Sequence, residues 1–331
     1  PRVALVVPCY NEEEVLPMTL PVLLDILGKL TERGLAAADS YVLCSNDGSR
    51  DRTWDIISRF NDSDPRVKGI SLAHNRGHQN ALLAGLMRAR RDCDVSISLD
   101  ADLQDSPETI FEMMEMYHAG YDIVYGVRSD RSSDTWFKRV TAHGFYRFQR
   151  AMGLETVFDH ADFRLLDRRA LDCLSEYDES NLFLRGIMPH IGLKWTTVTY
   201  RRSPRCAGES KYPLKAMLSL SIDGVTSFTA KPMRLIFLTG LVMLLADIGV
   251  GIWVFTAHWL GQTISGWSSL MLSLWFLGSL VLIALGIIGE YIGKIFVEVK
   301  HRPRFHVARS EEHTSEVKHR PRFHVAEETK N

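Results

Sequence analysis

Between Leu235 and Gly289 the only charged residue is Asp247. No other feature restricts the fold as strongly, because a stretch of about 20 apolar residues is what crosses a bilayer core. Two such stretches follow one another, at about Leu235–Ala257 and about Ser269–Gly289. An uncharged connector, His258–Ser268, separates them and carries Trp259 and Trp267, where an aromatic belt would lie. A helix in a soluble core keeps a polar face, and neither stretch has one. The pattern predicts a transmembrane hairpin of two helices.

The flanks orient it. Lys231 and Arg234 precede the first span, Lys294, Lys300, Arg302 and Arg304 follow the second, and the connector holds no Lys or Arg. By the positive-inside bias both termini are predicted to be cytoplasmic, in a multi-pass protein of the inner membrane. Asp247 costs about 2.5–3.5 kcal/mol at mid-span and is expected to face protein, in packing or an oligomer contact. The whole chain carries 39 Lys and Arg against 40 Asp and Glu, a formal charge of −1. That balance excludes a general nucleic-acid binder. Five scattered cysteines without a CxxC pair suit a reducing compartment and argue against a zinc site. No signal peptide precedes residue 1, and Pro1 stands directly before a strand, so a few native residues are expected to be missing.

Before the spans, residues 1–130 alternate short apolar β-type runs with amphipathic helical stretches. The runs are Val3–Val7, Tyr41–Ser45, Val67–Leu72, Val95–Leu99 and Asp122–Gly126. The last intervening helix is predicted over Pro107–Ala119, with Ser106 as N-cap and Gly120 past its end. This order predicts an α/β fold with a mostly parallel, Rossmann-like sheet covered on both faces. Ligands then bind at the carboxyl ends of the strands. There stand YNEEE, NDGS, AHNRG, DADLQD and VR, in chain order. No P-loop or GxGxxG follows a strand, which argues against an ATPase or a dinucleotide oxidoreductase.

Asp100 and Asp102, with the Gln104 amide near by, form a hard-oxygen set suited to Mg²⁺ or Mn²⁺ holding a diphosphate. A lone DxD also occurs on solvated turns, and Asp47 in NDGS reads equally as turn chemistry or as a base or ribose contact. The five strand ends together say more than any one of them.

They resemble the family 2 glycosyltransferases of GT-A fold, and more narrowly the polyisoprenyl-phosphate glycosyltransferases. The motifs are VVPCYNEEE at 6–14, SNDGSRDRT at 45–53, LAHNRGHQNALLAGL at 72–86, SLDADLQDSPE at 98–108 and YGVRSDR at 125–131. DHADFRLLDRRAL at 159–171, ESKYPLKAML at 209–218 and GIIGEYIGKIFVEVKHRP at 286–303 extend the likeness to about residue 308. The resemblance implies that Pro8, Tyr10, Glu12 and Asp47 line a uridine pocket. Asp100 and Ala101 would meet ribose and diphosphate, and Asp102 and Gln104, with Asp100, would hold the metal. Arg128 would contact donor diphosphate or acceptor phosphate. Asp162 and Arg164 would lie beside the sugar and the acceptor, and Arg164, Arg201, Arg202 and Lys211 would supply charge for the acceptor phosphate.

The implied reaction moves a hexose, glucose from UDP-glucose before mannose or a modified arabinose, onto undecaprenyl phosphate in one inverting displacement. A phosphate monoester is already largely ionised at pH 7, so a strong general base is unnecessary. Asp162 is left either as that base or as the ion-pair partner that holds Arg164 or Arg128. A processive polysaccharide synthase would need a QxxRW motif, and the chain has no RW pair. A catalytically inactive sugar-nucleotide-binding subunit is the other alternative, disfavoured by the intact Asp100, Asp102 and Gln104. The implied partners are the donor, the lipid acceptor, the bilayer and further copies in a homo-oligomer.

The domains are therefore expected at 1–212 (catalytic), 213–232 (an interfacial amphipathic helix), 233–297 (two membrane helices) and 298–331 (a cytoplasmic tail). In that tail EVKHRPRFHVA occurs at 298–308 and again, unchanged, at 316–326. No solenoid unit is so short and so perfect. The intervening RSEEHTSE matches a translated sequencing adapter, so 309–331 is expected to be wholly or partly artificial.

Overall fold

The structure, a computed structural model, describes residues 1–128, 160–179, 184–200 and 266–311, with isolated helical positions between 233 and 260. Its centre is strand β1 (Val3–Cys9), every residue of which is buried. Alternate side chains of a strand point to opposite faces, and here both faces are apolar. Val3, Leu5 and Val7 pack against helix α1 (Leu16–Glu32), while Ala4 and Val6 pack against helix α3 (His78–Ala89). A strand buried on both faces belongs in the middle of an α/β sheet.

Strand β2 (Tyr41–Asn46), helix α2 (Thr53–Ser63) and strand β3 (Val67–Leu72) extend the sheet to one side, with β1–β2 and β2–β3 parallel. On the other side β4 (Val95–Ser98) also runs parallel to β1. Helix α4 (Thr109–His118) and strand β5 (Ile123–Arg128) follow, then β6 (His160–Asp167), α5 (Arg168–Leu174), α6 (Leu184–His190) and β7 (Trp195–Tyr200). The sheet is completed by β8 (Val307–Glu311), giving eight strands in the order β7-β5-β6-β4-β1-β2-β3-β8. Strand β6 is antiparallel to both β4 and β5, and β8 is antiparallel to β3. The α/β expectation holds, with antiparallel insertions that the strand-by-strand periodicity does not show.

The start of α4 differs from the predicted cap. The helix begins at Thr109, and its N-cap, Glu108, makes no side-chain capping bond. The backbone at Ser106–Phe111 is bonded three residues apart, and Ser106 Oγ turns to Glu108 at 2.7 Å. A tight turn replaces the predicted first helical turn.

Helix α7 (Trp267–Val299) contains the second predicted span and runs ten residues beyond it. Its stretch Phe276–Val299 has mean hydropathy 2.1, and none of that stretch is buried inside the protein. Among the described residues it is the one helix long and apolar enough to cross a membrane. Of the first predicted span only scattered positions are described; among them Leu238, Leu245, Ile252 and Trp253 are helical with exposed side chains. The interfacial helix predicted at 213–232 is also outside them. Arg309–Glu311, expected to belong to the artificial stretch, lie in β8.

Candidate active site

The ends of β1 and β2 are stitched together by their own loops. Glu12 N donates to Thr53 Oγ1 (2.8 Å), Asn11 N to Ser49 Oγ (3.0 Å), and Arg50 N to Asn11 Oδ1 (3.0 Å). Asn46 receives Ser49 N and Oγ and donates to Ser71 Oγ at 2.8 Å, which carries the connection on to β3. Asn11 has φ 54°, a left-handed conformation that asparagine tolerates. Pro8 is buried at the end of β1 and Tyr10 is exposed beyond it, with Glu12 between these extremes. Of the four residues expected to line a uridine pocket, Tyr10 and Glu12 therefore reach the surface at this end of the sheet.

Asp47 does something other than line a pocket. It is 2% exposed, and its two oxygens accept Arg76 N (2.6 Å) and Gly77 N (2.8 Å). Burial raises its pKa, and those two N–H groups pull the other way. The carboxylate ties the loop after β3 to the end of β2. Gly48, at φ 64°, serves the same junction: a Cβ there would stand 2.7–2.8 Å from the backbone of His74 and Asn75. Asp47 thus shapes this loop, because the NDGS turn packs onto the neighbouring backbone.

Carboxylates gather at the end of β4. Ala101 is buried, and its carbonyl accepts the Thr19 hydroxyl at 2.6 Å. Asp102 Oδ1 accepts Gln104 N at 3.2 Å, across Leu103 at φ 51°. A leucine in that conformation costs about 1–2 kcal/mol, a strain of the kind that collects at functional loops. Gln104 is 7% exposed and Asp105 is 3% exposed.

The antiparallel register adds a fourth carboxylate. Ser98 lies opposite Arg164 and its hydroxyl donates to Asp162 O at 2.5 Å, which brings Asp162 to the end of β4. His78, at the start of α3, bridges them, with Nε2 3.4 Å from Asp162 and 3.7 Å from Asp100. Burial pushes Asp100 up to about 6, His78 opposes this, and the charges of Asp162, Asp105 and Asp102 add to it. Solvent reaches 43% of that side chain, which softens the repulsion without changing its direction. Crowded carboxylates of this kind suit a divalent cation. Among the described residues no group of three His, Cys, Asp or Glu side chains would hold a metal alone, so any ion here would draw ligands from a bound diphosphate as well.

Asp162 is the most heavily partnered of the four. Arg185, on α6, grips both its oxygens at 3.2 and 3.3 Å, and Arg164 donates to it from below. Burial alone would raise its pKa, but His78, Arg164 and Arg185 win and hold it well below the usual range. A carboxylate so stabilised is a weak base, so the ion-pair role is the one that the geometry supports. Its partners are Arg164, Arg185 and His78; Arg128 instead pairs with Asp105 at 3.7 Å and with Tyr200 Oη at 3.3 Å. Tyr200 Oη in turn donates to Asp105 at 2.5 Å.

Arg164, expected beside the acceptor phosphate, is buried. Its side chain is 1% exposed, and its Nε and Nη1 find no acceptor among the described residues. Its Nη2 donates to Asp162. The cation that stands in its place is Arg185, with 39% of its side chain exposed. Sequence reading passed over Arg185, although one arginine inside the apolar run LFLRGIM is a usable signal. It assigns no role to Asp105 or Tyr200 either. Arg201, Arg202 and Lys211 lie outside the described residues.

A cavity of about 380 Å³ lies elsewhere, lined by Leu83, Met87, Leu174, Arg302 and Phe305 among others, and shares no residue with the carboxylate cluster.

Comparison with known proteins places the chain in a family. Residues 4–175 match the model of glycosyl transferase family 2, and residues 231–295 match that of the GtrB C-terminal hairpin. The chain is 50% identical over 307 residues to the uncharacterized glycosyltransferase YkoT of Bacillus subtilis, covering 93% of this chain and 91% of that one. It is 36% identical over 311 residues to the bactoprenol glucosyl transferase of Shigella phage SfII, covering 93% of this chain and 98% of that one. Among solved structures, mannosyl-3-phosphoglycerate synthase from Rubrobacter xylanophilus matches with a TM-score of 0.46 at 14% identity, over 70% of this chain and 75% of that one. The chain belongs to glycosyl transferase family 2: it is a glycosyltransferase with a GT-A catalytic domain and a GtrB-type C-terminal hairpin.

Proposed function

We propose that this glycosyltransferase moves glucose from UDP-glucose to a polyisoprenyl phosphate, with inversion, at the cytoplasmic face of the membrane. The observation that carries this reading is the cluster at the ends of β4, β5 and β6. It sets four carboxylates beside Arg128, Arg185 and His78. A site that must bring two anions together needs both signs of charge. The name of the SfII relative supports the sugar and the lipid, and the hairpin match supports a membrane location.

Asp102, Asp100 and Gln104 are the residues that would hold Mg²⁺ or Mn²⁺. The ion, when bound, would neutralise charge on the departing diphosphate. The protein's own groups do the rest. Arg185 and Arg128 face the acceptor phosphate and the diphosphate, and Arg201, Arg202 and Lys211 add charge from the following segment. Asp162 keeps Arg185 and His78 aimed at the site. The nucleophile is the acceptor's own phosphate oxygen, already ionised, and a single attack on the anomeric carbon expels UDP and inverts that centre. Tyr10 and Glu12 would meet the uridine, with Asp47 shaping the loop beside it. A homo-oligomer and cytoplasmic termini belong to the same reading.

The test is to incubate membranes holding the full chain with undecaprenyl phosphate and a panel of UDP- and GDP-sugars, and to weigh the glycolipid formed. A hexosyl-phosphoundecaprenol made from UDP-glucose, lost in EDTA and restored by Mn²⁺ or Mg²⁺, is expected. Preference for another donor would change the sugar, and turnover without any lipid phosphate would end the proposal.

A further inference from the structure

We propose that β8, the strand reached directly from the membrane helix, is a positioning element for the donor half of the active site. The inference rests on reading the ends of β1, β2 and β3 as that half. After Val299 the chain turns sharply at His301, whose φ is 45°. It is then fastened to the catalytic domain: Arg304 donates to Tyr177 O, and Phe305 and Val307 pack against the apolar cluster beneath α3. His306 O accepts Ala73 N at 2.9 Å, and Val307 pairs with Leu72 across an irregularity in the β3–β8 ladder.

Those contacts fall at the root of one loop. Residues 73–77 are exposed, and Asp47 holds their far end through Arg76 N and Gly77 N. β8 holds the near end through Ala73 and Leu72. Without β8, β3 would be an open sheet edge, and its last residues would lose the ladder that sets the loop's direction. Opening of such a segment is local and cheap compared with global unfolding. Anchoring in the membrane and order in the donor loop therefore share one short piece of chain, 300–307.

The test compares hydrogen exchange in the full-length wild type, in nanodiscs, with the Val307→Asp, Val325→Asp double variant. The second change is needed because 316–326 repeats 298–308 and would offer a replacement strand. Exchange in 70–77 is expected to quicken about tenfold or more while β4 is unchanged, since each tenfold corresponds to about 1.4 kcal/mol of lost protection. The KM for the nucleotide sugar should rise while kcat stays within about twofold, the signature of lost binding without lost transition-state contacts. The Val307→Ile, Val325→Ile pair should match wild type.

Unchanged exchange in 70–77 would overturn the proposal, as would a loss confined to kcat. Should the aspartate pair quicken exchange in β4 as well, the milder Phe305→Ser, Phe323→Ser pair decides by the same criteria; equal quickening of both regions there would leave β8 a general stabiliser and sink the idea. If wild type transfers no sugar at all, the failure lies with the proposed function, and loop exchange still decides the role of β8.

Discussion

Asp162 and Arg164 stand two residues apart on β6 and end in different surroundings, one at the site and one beneath it. Removing the charge of Asp162 leaves a buried guanidinium with no partner among the described residues, a change that typically costs about 3–5 kcal/mol. Asp162→Asn is therefore expected to lower stability by that order at pH 7, measured by chemical unfolding in detergent. The folded pKa of Asp162 lies below its unfolded value, so its contribution is present above about pH 4 and lost as the pH falls through the lower folded value. The gap between wild type and variant should close in that acid range. Residual transfer by the variant should keep the wild-type pH profile; loss of its acid limb would restore the base role.

Asp100 has the opposite sign. Its folded pKa, about 6, is raised above the unfolded value, so its ionisation costs stability as the pH rises from about 4 through 6. Asp100→Asn should raise the Tm of the metal-free protein at pH 7, leave it unchanged near pH 4, and abolish transfer. A lower Tm at pH 7 in EDTA would show that the carboxylates do not repel one another as described.

At the scale of elements, periodicity located the five strands of the first half because each is short, apolar and bounded by turn residues. Helix packing is tighter than any pattern conveys. A Cβ on Gly85 would lie 2.5 Å from Val6 Cγ1, so α3 rests directly on β1. Gly85→Ala is expected to destabilise by about 1–3 kcal/mol despite alanine's better helix propensity. Val6→Ala should recover part of that loss, with a coupling of about 1 kcal/mol or more in a double-mutant cycle. Strictly additive effects would refute the close contact. The cap of α4 was misread for a related reason: Ser106 found a nearer partner in Glu108, and Asx- and Ser-type caps always compete with such local bonds.

For the molecule as a whole, the charge-free stretch and the hairpin match point to the membrane. Alkaline carbonate washing should leave the chain in the membrane pellet, and release of most of it would rule out a spanning hairpin. The exposed apolar surface of α7 would otherwise make the protein insoluble, since so large a patch is not left bare in water.

Class of fold, the apolar C-terminal hairpin region and the motif residues at the strand ends were legible in the sequence, because period, length and charge are local properties of a chain. How the motif residues are buried and paired with one another was decided by the tertiary structure. Asp162 reaches the neighbourhood of Asp100 because β6 pairs antiparallel with β4 and His78 stands near both carboxylates. Arg164 is buried against Asp162, two residues away on the same strand, and Arg185 reaches the same carboxylate from a helix of a later segment. Burial, register and charge neighbourhood depend on residues far apart in the chain, and no local pattern encodes them.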